Sequence, residues 1–271
     1  MATIAVKAVI ATILLTIPVI FSDDTAPIPA DKSKVDNWFK TNVMPYAARK
    51  GTLDPALVAA QAKPKVIKVK QDGTGNFKTG KPFVTFYGAT YAMPTLVFSG
   101  TAAQYGTIDS ATLTVFSDYF TAINIAIVVR NPSKCCFLVS LVLVFLIYMW
   151  ESMTMITAQA RDHNTDDNGY SFVQCSVTGT DKNSVLGRAW RPFSRVVFAY
   201  SDLGDVVTPQ GWSDNSEPQF DNKLFFGEYK NWGPGSNPSG RAKFSKQLSD
   251  AEAQPFISLA FIQGSKWLLP Y

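Results

Sequence analysis

The sequence predicts an all-β chain of short strands, on three observations. β-rich segments recur at fairly even spacing from Val66 onward: Val66–Val69, Phe83–Tyr87, Thr112–Phe116, Ile123–Val129, Ser171–Val177, Val196–Tyr200 and Leu224–Tyr229. No long helical pattern separates them, and Gly, Asn and Asp recur at the bends, where left-handed backbone is tolerated. Short strands of this kind build a sandwich, a barrel or a solenoid, and the last two observations lean toward the solenoid.

Residues 1–22 carry one charge, Lys7, before the apolar run Ala8 to Phe21 and then Asp23-Asp24, the pattern of a secretory signal peptide. The run is short for a bilayer span. Residues 23–65 show helix-like spacing at Val35, Trp38 and Phe39 and again at Leu53, Leu57 and Val58, interrupted by Pro45 and Pro55. They are expected to form an N-terminal arm of short helices packed on a main domain of residues 66–271.

The 271 residues suffice for a sizeable core, and the net charge of +4 is spread along the chain rather than gathered in a block. A nucleic-acid partner is therefore not expected. Cys135, Cys136 and Cys175 are an odd set with two adjacent members, which does not describe a disulfide framework. With His163 as the single histidine and no Cys-x-x-Cys pair, no metal site is expected. A Ser-His-Asp or Cys-His hydrolase would have to rest on His163, which lies in the polar stretch Arg161 to Asn168 and reads as a solvated loop residue.

Cys135 to Trp150 reads CCFLVSLVLVFLIYMW, an uncharged run that lacks the alternation of a half-exposed strand. As a helix its span would be about 24 Å, a little short of a hydrocarbon core. Three readings stay open for it: a membrane helix, a buried strand pair, or a segment foreign to the original fold. Stable membrane association is not expected unless this segment inserts.

Several motifs carry a resemblance. Asp72-Gly73-Thr74-Gly75-Asn76-Phe77-Lys78-Thr79 fails both common phosphate-loop templates. Leu186-Gly187-Arg188-Ala189-Trp190 is followed by Ser194-Arg195-Val196-Val197-Phe198, and then by Pro209-Gln210-Gly211-Trp212 and by Glu228-Tyr229 with Gly233-Pro234-Gly235. Ala251-Glu252-Ala253, Phe261-Ile262-Gln263-Gly264 and Lys266-Trp267-Leu268 close the series. In this order and spacing the motifs resemble those of the plant pectin methylesterase (pectinesterase) family, with Ala189 where the family has Pro. The resemblance implies a single-stranded right-handed parallel β-helix, a pectin lyase-like solenoid. It further implies a secreted cell-wall hydrolase that removes methyl esters from homogalacturonan with side chains alone, without a cofactor, and a monomer.

Arg188 beside Trp190 offers a planar cation for a carboxylate and an apolar ring face for a sugar, although a core Trp with a surface Arg would read the same way in sequence. In the family this Arg pairs with the nucleophilic aspartate and the Trp lines the sugar groove. Thr107, in Gly106-Thr107-Ile108-Asp109, falls where the family has a substrate-contacting threonine.

Ester hydrolysis without histidine or metal needs one carboxylate as nucleophile, a second as general acid and base, and a donor for the oxyanion. The family supplies them from Gln-Ala-x-Ala-Leu, Gln-Asp-Thr-Leu and Asp-Phe-Ile-Phe-Gly, and none of these is in the sequence. They would fall between Val129 and Met155, where Glu151 is the only carboxylate. No catalytic aspartate is assigned. A second gap lies between Thr79 and Lys81, where the family holds about a rung and a half. The expected solenoid is thus truncated by missing rungs and interrupted at 135–150. Clean matches broken at two abrupt joints suggest, as a hypothesis, skipped coding blocks in an altered gene product; a mature transcript that encodes the missing motifs would refute it.

Overall fold

The computed structural model describes residues 24–45, 65–68, 77–79, 84–89, 93–98, 112–115, 120–129, 142–149, 154–180 and 182–268, with single positions between them. Strands run β1 (Lys65–Lys68), β2 (Phe77–Thr79), β3 (Val84–Tyr87), β4 (Thr95–Phe98), β5 (Leu113–Val115), β6 (Phe120–Val129), β7 (Val142–Met149), β8 (Thr154–Met155) and β9 (Ala158–Gln159). They continue as β10 (Tyr170–Val173), β11 (Ser176–Gly179), β12 (Ser184–Val185), β13 (Gly187–Ala189), β14 (Arg195–Ala199), β15 (Asp202–Leu203), β16 (Trp212–Ser213), β17 (Phe225–Tyr229) and β18 (Ser245–Gln247).

Among the described residues all strand pairings are parallel and join successive turns of the chain. The main sheet orders β1-β3-β6-β7-β10-β14-β17-β18, while β11 pairs β15 and the chain β9-β13-β16 forms a separate wall. That is the connectivity of a parallel β-helix, in which each coil contributes one strand to each wall. The solenoid leaning of the sequence is borne out.

Alternation sorts the side chains of the main sheet. Val196 and Phe198 of β14 point into the solenoid, together with Phe172 and Phe226 from its neighbours. Inside, Phe172 stacks on Phe198 with centroids 4.5 Å apart, and Trp212 stacks on Phe226 at 4.6 Å. An edge contact of 6.1 Å between Phe198 and Trp212 joins the two pairs into one column. All four rings are fully buried, and truncating any one would cost about 3–5 kcal/mol.

Val197 and Ala199 point the other way, into a second cluster that covers the outer face of the sheet. Its cover comes from both ends of the chain. Helix α1 (Val35–Asn42) presents Trp38 and Phe39, and the C-terminal segment adds Phe256, Ile257, Leu259 and Trp267. The strap before α1 is bonded to that segment through Ile28 N–H to Ile257 O at 2.6 Å and Ala260 N–H to Asp24 O at 2.8 Å. The helical spacing read at Val35, Trp38 and Phe39 is therefore a buried face; that read at Leu53, Leu57 and Val58 lies outside the described residues.

The sequence treats Ser171–Val177 as one strand, whereas the structure divides it at Gln174, whose φ is 59°. Val173, Ala199 and Tyr229 are register partners, and the residue after each, Gln174, Tyr200 and Lys230, is left-handed; Asn124, after Ile123 of β6, matches them. Only one of the four is the Asn expected at bends. Left-handed backbone disfavours Gln, Tyr and Lys by roughly 1–2 kcal/mol each, so the stacking of coils sets this corner and not local propensity. Gly88, after Tyr87 on the coil before Asn124, shows why no side chain fits there: a Cβ would lie 2.1 Å from Asn124 O.

Within the apolar run, Val142–Met149 is a strand, β7, paired to β6 on one side and to β10 and β11 on the other. Of the three readings this backbone is that of a solenoid strand, and among the described residues no helix is long and apolar enough to cross a membrane. Cys175 is buried; Cys135 and Cys136 lie outside the described residues.

Candidate functional site

Arg188 and Trp190 are brought together on the wall formed by β9, β13 and β16. Within β13, Gly187 and Ala189 face inward and are buried, while Arg188 faces outward and is half-buried. Gly187 is required there, since an added Cβ would come within 2.8 Å of both Thr157 Oγ1 and the Trp212 ring. Arg188 N–H donates to Thr157 O at 3.0 Å and Trp190 N–H to Gln159 O at 3.0 Å. These bonds to the previous coil come from the residues flanking Ala189, so neither depends on whether position 189 is Ala or the family's Pro.

The Arg188 guanidinium lies over the Trp190 ring, 5.4 Å from its centroid. Its register neighbours are Ala158 on one coil and Ser213 on the next, both small. The cation and its ring therefore stand above the wall with low side chains on either side. Trp190 is half-buried beside Arg188 and not in the interior. Thr107 lies outside the described residues.

The loop that supports Trp190 is held by side chains that sequence reasoning did not single out. Gln159 is buried; its Oε1 accepts from Arg195 N–H at 2.9 Å and its Nε2 donates to Asn168 Oδ1 at 3.2 Å. Arg161, also buried, donates Nε–H to Asp166 O at 2.8 Å and further bonds to the carbonyls of Asn164 and Phe193. The tandem of a strand-ending Gln and an Arg two residues on, directed at a polar loop, was the only hint available in sequence. Arg195 rests its guanidinium 5.3 Å from the Phe261 ring centroid and 3.7 Å from Asp167. Burial, then the neighbouring Arg161, lowers its pKa.

His163 is in this loop with its side chain 75% exposed, its Nδ1 3.7 Å from Asp166. The solvated-loop reading holds. Asp162, exposed beside it, forms a surface pair with Arg191 at 3.4 Å. Among the described residues no cluster of three or more His, Cys, Asp or Glu could hold a metal ion.

The chain is thus a parallel β-helix solenoid that carries an outward arginine stacked on a tryptophan. The family profile described as Pectinesterase matches residues 137–265. Pectinesterase 2 of Olea europaea is 38% identical over 360 positions that take in all of this chain and 98% of the relative. Probable pectinesterase 50 of Arabidopsis thaliana is 33% identical over 357 positions, covering 100% and 99%. Among solved structures, pectin methylesterase from carrot superposes with a TM-score of 0.58 at 21% identity, over 79% of this chain and 92% of that one. The chain belongs to the pectinesterase family, and its fold is that family's right-handed parallel β-helix. Since the alignment to the olive relative spans 360 positions and this chain has 271 residues, that relative holds segments missing here.

Proposed function

We propose that this chain is a pectinesterase-family protein of the plant cell wall whose ligand is the methyl-esterified homogalacturonan of pectin, held at Arg188 and Trp190. The observation that carries this is the cation over the ring, with small neighbours on both adjacent coils. A guanidinium fork takes a uronate carboxylate in two parallel bonds, and an indole ring takes the apolar side of a sugar. Thr107 is proposed as a further contact to the polymer on the family resemblance alone. Secretion to the wall is supported by the leader-like residues 1–22 and by the plant origin of the relatives. The proposed form is a monomer, acting without cofactor or nucleic acid.

The family reaction hydrolyses the methyl ester to carboxylate and methanol: a carboxylate attacks the ester carbon, methoxide leaves with a proton from a second carboxylic acid, and water cleaves the acyl intermediate. This chain keeps the arginine that would steady such a nucleophile and lacks the motifs that carry both carboxylates. Recognition without turnover is the reading that fits the residues present. Family membership over the full length favours the second reading, turnover by a carboxylate recruited from elsewhere.

Methanol release from highly methylated pectin by the purified chain decides between them, with Arg188→Ala as control. Binding without methanol is expected. Release well above blank and lost in the control would establish the esterase. Retention on a pectin column should fall about tenfold in Trp190→Ala; unchanged retention would remove the site from Arg188 and Trp190.

A further inference from the structure

Trp232 is the one large apolar side chain left exposed among the described residues, at 60%. It sits on a different wall from Arg188, that of β11 and β15. Its backbone is fixed there: Trp232 N–H donates to Ser201 O at 2.9 Å, and Leu203 N–H donates to Trp232 O at 2.8 Å. Asn231 locks the approach from inside, accepting from Ser201 N–H at 3.0 Å and donating to Phe198 O at 3.1 Å. The ring is therefore presented to solvent by a rigid coil, and little ordering entropy would be lost on binding.

Three residues stack in register along the solenoid axis at this point. Ser176 pairs Asp202, and Asp202 pairs Trp232, each about 4.8 Å from the next. Val177 and Leu203, which alternate with them, are buried inside, so the three side chains point outward together. The Asp202 carboxylate lies against Gly233, where a Cβ would meet its Oδ1 at 2.5 Å, and it makes no salt bridge among the described residues. Partial burial raises its pKa.

We propose that Ser176, Asp202 and Trp232 form a second carbohydrate site, for a neutral polysaccharide. A sugar ring places its C–H face on the negative face of the indole and turns its hydroxyl edge to the carboxylate and the serine hydroxyl, which accept and donate in turn. The sign of the charge selects the class. A uronate chain would bring its carboxylates to a carboxylate that has no salt bridge among the described residues, and Lys230 and Lys182 are engaged elsewhere, at 3.0 Å by Asp250 and at 2.9 Å by Asp205. This strip would hold the protein on neutral wall glycan while Arg188 and Trp190 face pectin.

Native gels cast with xyloglucan, with galactan or with polygalacturonate test this. Retardation by at least one neutral glycan is expected, weakened about tenfold in Trp232→Ala and also reduced in Asp202→Asn. Trp190→Ala should leave that retardation unchanged, so that loss of the pectin reading is seen separately. Because Trp232 packs little of its ring, thermal unfolding of Trp232→Ala should match the parent and exclude misfolding. No retardation by either neutral glycan, retardation indifferent to Trp232→Ala, or a Trp232 dependence confined to polygalacturonate would overturn the proposal.

Discussion

Glu228 and Arg241 form a two-pronged ion pair inside the solenoid, Nε to Oε1 at 2.7 Å and Nη2 to Oε2 at 3.1 Å, with side chains only 2% and 6% exposed. Glu228 occupies the inward register position above Phe198, where its Oε1 also accepts from Trp212 Nε1–H at 3.0 Å. The remaining guanidinium donors reach the carbonyls of Thr208, Pro209 and Gly235. One buried pair thus joins the aromatic column to loops from two coils.

Removing one partner strands the other charge in the core. Glu228→Ala is expected to destabilise the chain by about 3–5 kcal/mol, read as a lower urea midpoint with an unchanged slope. Replacing both partners with apolar residues should recover much of the loss, and failure to do so would show that the loops depend on the guanidinium bonds.

Gly187 controls the site through packing. Gly187→Ala would force a methyl against Thr157 and Trp212, so the wall must shift under Arg188. The expected cost is about 1–3 kcal/mol, with a change in tryptophan emission and weaker pectin retention. A variant as stable and as retentive as the parent would show that the wall accommodates the methyl.

The cover on the outer face should respond to pH at both extremes. Hydrogen bonds from Lys230 and then Tyr229 lower the Asp250 pKa below its ordinary 3.8, and the bond from Ser249 N–H lowers that of Glu252 below 4.5. Depressed carboxylates contribute stability that is present above those ordinary values and is lost as pH falls through the lower folded-state values. Tyr200 is pushed up to about 12, by burial first and then by Tyr229, so its contribution is present below the ordinary 10.0 and lost as pH rises toward 12. Protection against hydrogen exchange in residues 249–262, taken relative to the intrinsic rate at each pH, should therefore fall in acid below about pH 4 and in base above about pH 10. Asp250→Asn with Glu252→Gln should remove the acid response and Tyr200→Phe the alkaline one; unchanged profiles would place the sensitivity elsewhere.

The sequence by itself determined the family and, through it, the fold, because the turn and wall motifs from Leu186 to Leu268 are local strings whose order survives the missing segments. It also determined that the aspartate motifs are absent. Three things needed the tertiary structure. The column of left-handed corners at Gln174, Tyr200 and Lys230 is imposed by coils stacking one upon another, against the preference of those residues. The partner of Glu228 is Arg241, thirteen residues away in another loop, and nothing in either segment names the other. Likewise Trp190 and Trp232 are the same residue type beside similarly polar neighbours. The cation of Trp190 is two residues away and legible in the sequence, whereas the carboxylate beside Trp232 comes from Asp202 on the previous coil, since parallel pairing joins residues a full coil apart in the chain.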